Sequence, residues 1–304
     1  MTDLELSDIE SPLFHQLIGC LLLLVVILGL AHNVFLSVGD PVSGSLPSTH
    51  PVTAGGFLVL AAALLFHPQW DSSVRLSVTL AWIFIVLSCL RILEALYPEH
   101  LAVFTDGHIT AALESVGLYG RFSVETALFL MGSLAYLLAP ERQVVVRLLA
   151  VSCCLAVLSL GLVEAAYSLF LWGDELSLIT QVAMVLICAD LVYRMRDEVP
   201  FHSVFRKART SFYVRFTVLA LYLLPMIIGA VLLHEFKVSP AFRTPFEFAF
   251  AGTSWLMLGL GLSIGTFLDN RMQERSFRRR PNPGNRPETG NQGNDIPDSF
   301  SRTS

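Results

Sequence analysis

Long apolar runs separated by short polar turns occupy the chain from residue 13 to residue 268. A run of about 20 apolar residues can span the roughly 30 Å hydrocarbon layer of a bilayer. The runs do not alternate apolar and polar residues as the strands of a transmembrane β-barrel do. The pattern therefore predicts an all-α, polytopic transmembrane bundle of about eight helices, at residues 13–36, 52–66, 74–97, 123–138, 144–171, 177–193, 216–234 and 245–268.

Composition agrees with this pattern and bounds the domains. Hydrophobic residues make up 54% of the 304 residues and charged residues only 15%, whereas a soluble domain carries about 25% charge. Residues 1–12 form an acidic leader, unlike the basic start of a cleaved signal peptide. Residues 269–304 are polar, so this tail is expected to be disordered. We expect one transmembrane domain, 13–268, between a cytoplasmic leader and a cytoplasmic tail.

A segment with a threonine near its start and an apolar run behind it occurs three times. The copies are HPVTAGGFLVLAAALLF with Thr53, FSVETALFLMGSLAYLL with Thr126, and a looser copy, LSLITQVAMVLICADLVYR, with Thr180. Each copy opens a pair of helices, which predicts three parallel hairpin repeats (helices 2–3, 4–5 and 6–7) flanked by helices 1 and 8. The threonines are expected to be structural, capping helices and packing closely.

The distribution of Lys and Arg predicts the orientation. Basic residues gather in the 2–3, 4–5 and 6–7 turns and after helix 8, while the alternate loops hold only Arg121, Lys237 and Arg243. Cytoplasmic loops carry the excess of positive charge. Both termini are therefore expected in the cytoplasm. Topology anchoring alone is the simplest account of the basic 6–7 loop, and contact with anionic lipid headgroups is the alternative.

The phrases GRFSVETALFLMGSLAYLL and HPVTAGGFLVLAAALL resemble the eight-helix membrane sensor modules of bacterial sensor histidine kinases and diguanylate cyclases. The resemblance covers residues 13–276 and implies a location in the bacterial inner membrane. It implies a sensory or regulatory module that passes an outer-face or membrane signal onward. Because no PAS, kinase or GGDEF sequence follows Arg280, we expect a stand-alone module that acts on a separate signalling or membrane protein.

Ionisable residues inside apolar runs are the candidate ligand or ion sites, because such groups are costly in a membrane and usually have a partner or a task. Glu94 and Glu164 both approach the outer ends of their helices, and Arg91 can pair with Glu94 three residues away. Asp190 and Arg194 are expected to form a similar pair within one helix. A small-molecule carrier or channel using Arg91, Glu94 and Glu164 is the alternative function.

Histidines near the outer side are further ligand candidates: His32, His100, His108 and His234. Their spacing matches no metal-ligand motif, so no metal site and no cofactor are expected. The five cysteines lie in apolar runs and suit packing. Cys89 beside Arg91 resembles the catalytic pair of exosortases, but the glycine expected near that cysteine is missing. A membrane enzyme is thus the remotest alternative, and no nucleic-acid partner is expected.

Overall fold

The computed structural model of the protein describes residues 3–38, 49–66, 74–104, 122–168, 178–205, 209–236 and 240–278. Within these ranges, eight helices and one short helical turn confirm the predicted all-α bundle. Predicted helices 1–6 correspond to α1–α6, predicted helices 7 and 8 correspond to α8 and α9, and α7 lies in the 6–7 loop. The helices are α1 (Asp3–Val38), α2 (Pro51–Phe66), α3 (Val74–Leu96), α4 (Val124–Leu138), α5 (Val144–Ser168), α6 (Leu178–Arg194), α7 (His202–Phe205), α8 (Arg209–Phe236) and α9 (Pro240–Arg278).

Five helices are long and apolar enough to cross a membrane: Leu13–Ala31, Ser77–Leu96, Val144–Glu164, Phe212–Leu232 and Pro245–Arg271. Large apolar side chains on them remain exposed, including Trp82, Leu149 and Phe216. Apolar surface of this extent is unusual on a soluble monomer. Lipid therefore covers these faces, and the chain is a multi-pass membrane protein. Helices α2 and α4, of 16 and 15 residues, are short as predicted.

The first two copies of the repeated segment lie side by side and run parallel. The ring of Phe57 packs on that of Phe129, with 6.4 Å between centroids, and the ring of His50 stacks on that of Phe122. Each contact joins residues at nearly the same place in the two copies. Because these two contacts follow each other in the same order along both segments, the starts of α2 and α4 point in the same direction.

Within the hairpin formed by α4 and α5 the helices run antiparallel. Gly132 of α4 approaches Ala150 and Cys154 of α5, so that a Cβ atom there would lie 3.0 Å from the Cys154 sulfur. Further along the same pair, Arg147 binds Tyr136. These contacts pair the end of α4 with the start of α5. The geometry agrees with the 4–5 hairpin predicted from the repeat.

Helices α8 and α9 contact each other through two glycines that the sequence analysis did not single out. Gly261 and Gly265 of α9 face Val218 and Val214 of α8; added Cβ atoms would lie 3.2 Å from Val218 Cα and 2.6 Å from Val214 Cγ1. Two glycines four residues apart allow membrane helices to approach closely. The order of the contacts shows that α8 and α9 are antiparallel.

Both ends of the helical region extend beyond the predicted boundaries. Helix α1 includes residues 3–12 of the predicted leader, and α9 includes residues 269–278 of the predicted disordered tail. The sequences DLELSDIE and RMQER favour helix because Leu, Glu, Arg, Met and Gln have high helix propensity. The rest of the tail, 279–304, lies outside the described residues. Residues 267–278 belong to a unit separate from the preceding helices, and within it the Arg271 guanidinium carbon lies 5.0 Å from the Phe267 ring centre.

Two opposite ends of the bundle carry the polar side chains considered below. The "cap face" is the end at which α2 and α4 begin, next to His50 and Ser123. The "basic face" is the end at which α4 finishes and α5 begins, around Arg147. Asp190 near the end of α6 lies on this face too, because it is within electrostatic range of Tyr136 and binds His15 near the start of the α1 span.

Candidate functional site

The cap face is centred on Glu94, whose side chain is only 1% exposed. The backbone N–H of Phe104 donates to both carboxylate oxygens, each at 3.1 Å. Arg91 Nη1 lies 3.5 Å from Glu94 Oε2, which confirms the pair predicted from the i,i+3 spacing. Glu94 therefore connects the end of α3 to the backbone of the segment that follows it.

Arg91 extends the same connection to the next repeat. Its Nε donates to the carbonyl oxygen of Phe122 at 2.5 Å, one residue before the cap of α4. A guanidinium has several donors in a fixed plane, so one Arg can bind a carboxylate and a carbonyl together. Arg91 thus holds α3, Glu94 and the start of α4 in one arrangement.

His50 completes this cluster from the first repeat. Its Nδ1 accepts a hydrogen bond from the backbone N–H of Val52 at 3.2 Å, so the imidazole caps α2. The ring stacks on Phe122 with 5.8 Å between centroids, and it meets the ring of Phe104 edge-on at 6.5 Å. His50, Arg91, Glu94, Phe104 and Phe122 are called the cap cluster from here on.

Burial lowers the pKa of His50 from 6.5 to about 4, and the positive charge of Arg91 lowers it further in the same direction. The imidazole is therefore neutral near pH 7. Because Nδ1 accepts from Val52, its proton resides on Nε2. A neutral imidazole beside Arg91 avoids placing two positive charges together in a buried site.

The repeated threonines are buried, as close packing requires, but the expectation that they cap the helices is wrong for the first two copies, in which the cap lies three residues earlier. Thr53, Thr126 and Thr180 are 2%, 2% and 4% exposed. Ser123 is the N-cap of α4, and its hydroxyl oxygen accepts from the backbone N–H of Thr126 at 3.1 Å. His50 holds the corresponding cap position of α2. The first two copies therefore share a cap three residues before the threonine.

Two other candidate residues, His100 and Glu164, lie elsewhere in the described part of the chain. His100 is exposed in the turn after α3. Glu164 follows Val163 on α5, and Val163 belongs to a second group of apolar residues contributed by α5, α8 and α9. His108 and the side chains of His32 and His234 lie outside the described residues. Among the described residues, no group of three or more His, Cys, Asp or Glu is placed to hold a metal ion.

The surroundings of Cys89 do not favour the membrane-enzyme alternative. Its sulfur lies 3.8 Å from that of Met131 on α4. Arg91, two residues on, binds Glu94 and the Phe122 carbonyl instead. A nucleophile requires an adjacent activating base, and the contacts of Cys89 in the described part of the chain provide only a thioether.

The basic face carries a second polar cluster. Asp190, 1% exposed, accepts from Arg194 Nε at 2.7 Å, which confirms the predicted pair within α6. Its other oxygen binds His15 Nδ1 of α1, a contact between residues 175 positions apart. On the neighbouring hairpin, Arg147 Nη2 donates to the Tyr136 hydroxyl at 2.9 Å, and its guanidinium carbon lies 4.5 Å from the ring centre.

Sequence reasoning missed three members of this second cluster: His15, Tyr136 and, as a partner of Tyr136, Arg147. Each lies within or beside an apolar run, which is the signal that could have identified them. Their partners lie on other helices, and one sequence alone does not specify those pairings.

Comparisons with protein-family models, with curated proteins and with solved structures found no match to this chain. The functional argument therefore rests on the residues and their geometry.

Proposed function

We propose that the protein is an integral membrane sensory or regulatory module that passes an outer-face or membrane signal to a separate protein partner. The observation that carries the proposal is the parallel, side-by-side arrangement of the Thr53 and Thr126 segments. Those segments also carry the resemblance to the membrane modules of bacterial sensor histidine kinases and diguanylate cyclases.

The cap cluster suits a role in receiving a signal. It connects α2, α3, α4 and the 101–104 segment through bonds to Glu94, Arg91 and His50. A displacement of the Phe104 backbone would remove two hydrogen bonds from a buried carboxylate. Since a buried carboxylate without partners is costly, the end of α3 would be expected to shift with that segment.

The positions of the charged groups also favour a sensor over a carrier. The described buried ion pairs lie at the two ends of the bundle, Arg91–Glu94 on the cap face and Asp190–Arg194 on the basic face. A carrier path would favour ionisable groups around one central cavity. The proposal places the protein in the bacterial inner membrane with the basic face in the cytoplasm, in keeping with the Lys and Arg distribution.

Co-purification from mild detergent tests the proposal. We expect a stoichiometric protein partner with the natural chain, and a several-fold change in its recovery with Glu94→Gln. Glu99→Gln is the matched control, because Glu99 is exposed on the same face. Absence of any stoichiometric partner across detergents would refute the proposal. Substrate flux in reconstituted vesicles that Glu164→Gln abolishes would establish the carrier instead.

A further inference from the structure

Two buried guanidinium nitrogens on the basic face lack an acceptor. Arg147 Nε and Arg194 Nη2 are both enclosed, and neither has a hydrogen-bond partner among the described residues. The Arg194 side chain as a whole is 10% exposed. Leaving a charged donor buried without an acceptor costs more than leaving a neutral one. These two atoms therefore indicate a site that is incomplete.

One tyrosine, Tyr136, connects the two arginines, through a hydrogen bond with Arg147 and an electrostatic interaction with Arg194. Tyr136 is 1% exposed, it accepts a hydrogen bond from Arg147, and it lies within electrostatic range of Arg194 and Asp190. Because its oxygen accepts from Arg147, its hydroxyl proton remains available for donation. Arg147 and Arg194 each keep a buried N–H donor without an acceptor, and Tyr136 keeps its hydroxyl proton. Guanidinium and hydroxyl donors of this kind bind oxyanions.

The charges around Tyr136 do not cancel. Arg147 and Arg194 contribute two positive charges, while Asp190 is the single carboxylate among the charged groups that act on the phenol. His15, which binds the other oxygen of Asp190, is neutral or positive and does not offset the excess. A buried excess of positive charge is unfavourable unless an anion compensates it.

We propose that the basic face holds a binding site for a phosphate-type oxyanion, formed by Arg147, Arg194 and Tyr136. A phosphoryl group has several acceptor oxygens in the arrangement that guanidinium groups bind well. Arg147 lies in the first turn of α5, at the end of an apolar span, where lipid headgroups reside. Basic pockets between membrane helices bind anionic headgroups in this way. The phosphate of an anionic lipid and free inorganic phosphate share the required chemistry.

The test uses the full chain purified in a neutral maltoside detergent. One arm measures retained lipid by native mass spectrometry after incubation with phosphatidylglycerol or phosphatidylcholine. In the other arm, inorganic phosphate is added in increasing concentration to the protein in a sulfate-free buffer, and binding is measured as a rise in the thermal unfolding temperature. Arg147→Lys keeps the charge but removes the Nε donor, and Tyr136→Phe removes the hydroxyl while keeping the ring. Arg142→Gln, an exposed arginine in the turn before α5, controls for net charge.

We expect saturable binding in at least one arm. Arg147→Lys and Tyr136→Phe should each weaken it by about tenfold, as the loss of a hydrogen bond to a charged group predicts, and Arg142→Gln should change it less than twofold. Binding only to phosphatidylglycerol identifies a headgroup site, and binding of inorganic phosphate identifies a soluble oxyanion. Binding in neither arm, or equal weakening by Arg142→Gln and Arg147→Lys, would overturn the proposal.

Discussion

The cap face and the basic face each bury arginine next to carboxylate, but they satisfy it differently. On the cap face, the Phe104 N–H donates to both oxygens of Glu94, and Arg91 pairs with Glu94 and also binds a carbonyl. On the basic face, Arg147 and Arg194 each keep a buried nitrogen without an acceptor. The first arrangement is complete within the chain and fixes the helix ends. In the second arrangement, the described residues provide no acceptor for these two nitrogens.

This difference reverses the ranking of sites suggested by the sequence. The glutamates near the cap face were the leading ligand candidates, yet the Glu94 oxygens are occupied by the protein's own donors. A ligand that used this carboxylate would first have to displace the Phe104 backbone. The basic face requires no such displacement, so the predictions below compare the two faces directly.

The largest effect is expected from Glu94→Gln on the cap face. The substitution leaves Arg91 buried without its counter-charge, and breaking one partner of a buried pair costs about 3–5 kcal/mol. Unfolding in detergent, followed by circular dichroism against denaturant, measures this loss. Glu99→Gln, on the exposed neighbour, should stay within about 0.5 kcal/mol of the natural protein. A Glu94→Gln variant as stable as the Glu99→Gln variant would show that the pair is not needed to hold α3.

The cap face should also lose stability in acid because of His50. The folded pKa of about 4 lies below the ordinary 6.5, so the unfolded chain binds the proton more readily than the folded chain. Neutral His50 makes its full contribution to the free energy of unfolding above pH 6.5. This contribution falls as the pH drops and is lost by about pH 4. At about 1.4 kcal/mol per pKa unit, the total loss approaches about 3 kcal/mol.

Thermal unfolding at intervals between pH 7.5 and pH 4 measures this dependence. His50→Gln should make the unfolding temperature less dependent on pH in this window, since the glutamine side chain does not titrate. His100→Gln removes an exposed histidine of the same face and should leave the slope unchanged. If the His50→Gln curve instead follows the natural one, the acid sensitivity belongs to other groups.

Substituting one arginine on each face gives the most direct comparison. Arg91→Met leaves Glu94 without its cation, whereas Arg147→Met removes a guanidinium that already lacks one acceptor. Removing a guanidinium with an unpaired buried nitrogen also removes the cost of leaving that donor without an acceptor. We expect Arg91→Met to destabilise by about 2 kcal/mol more than Arg147→Met, measured by denaturant unfolding in phosphate-free detergent. Equal losses from the two variants would show that the faces are equally complete.

The sequence predicted the features that depend on nearby residues. Apolar run length identified the helices, and the Thr53 and Thr126 segments predicted the parallel hairpins. The i,i+3 and i,i+4 spacings predicted both intrahelical ion pairs. What the sequence did not predict depends on distant contacts: His15 against Asp190, Arg147 against Tyr136, and the Phe104 backbone against Glu94. Such contacts follow from helix packing, which the apolar pattern leaves undetermined because lipid-facing and protein-facing residues are both apolar.

The smallest effect is expected from Ser123→Ala, which tests whether the repeated segment acts through its cap. The substitution removes the acceptor for the Thr126 N–H without altering the buried charges. Loss of an N-cap side chain costs about 1 kcal/mol, so the unfolding midpoint should fall slightly. Ser123→Asp restores an acceptor at the same position and should recover most of the loss. If Ser123→Ala instead costs as much as Glu94→Gln, the capping serine and not the ion pair would be the principal support of the cap face. The arrangement of the two repeats would then depend on the helix starts, and the contrast between the two faces would lie in capping and not in charge.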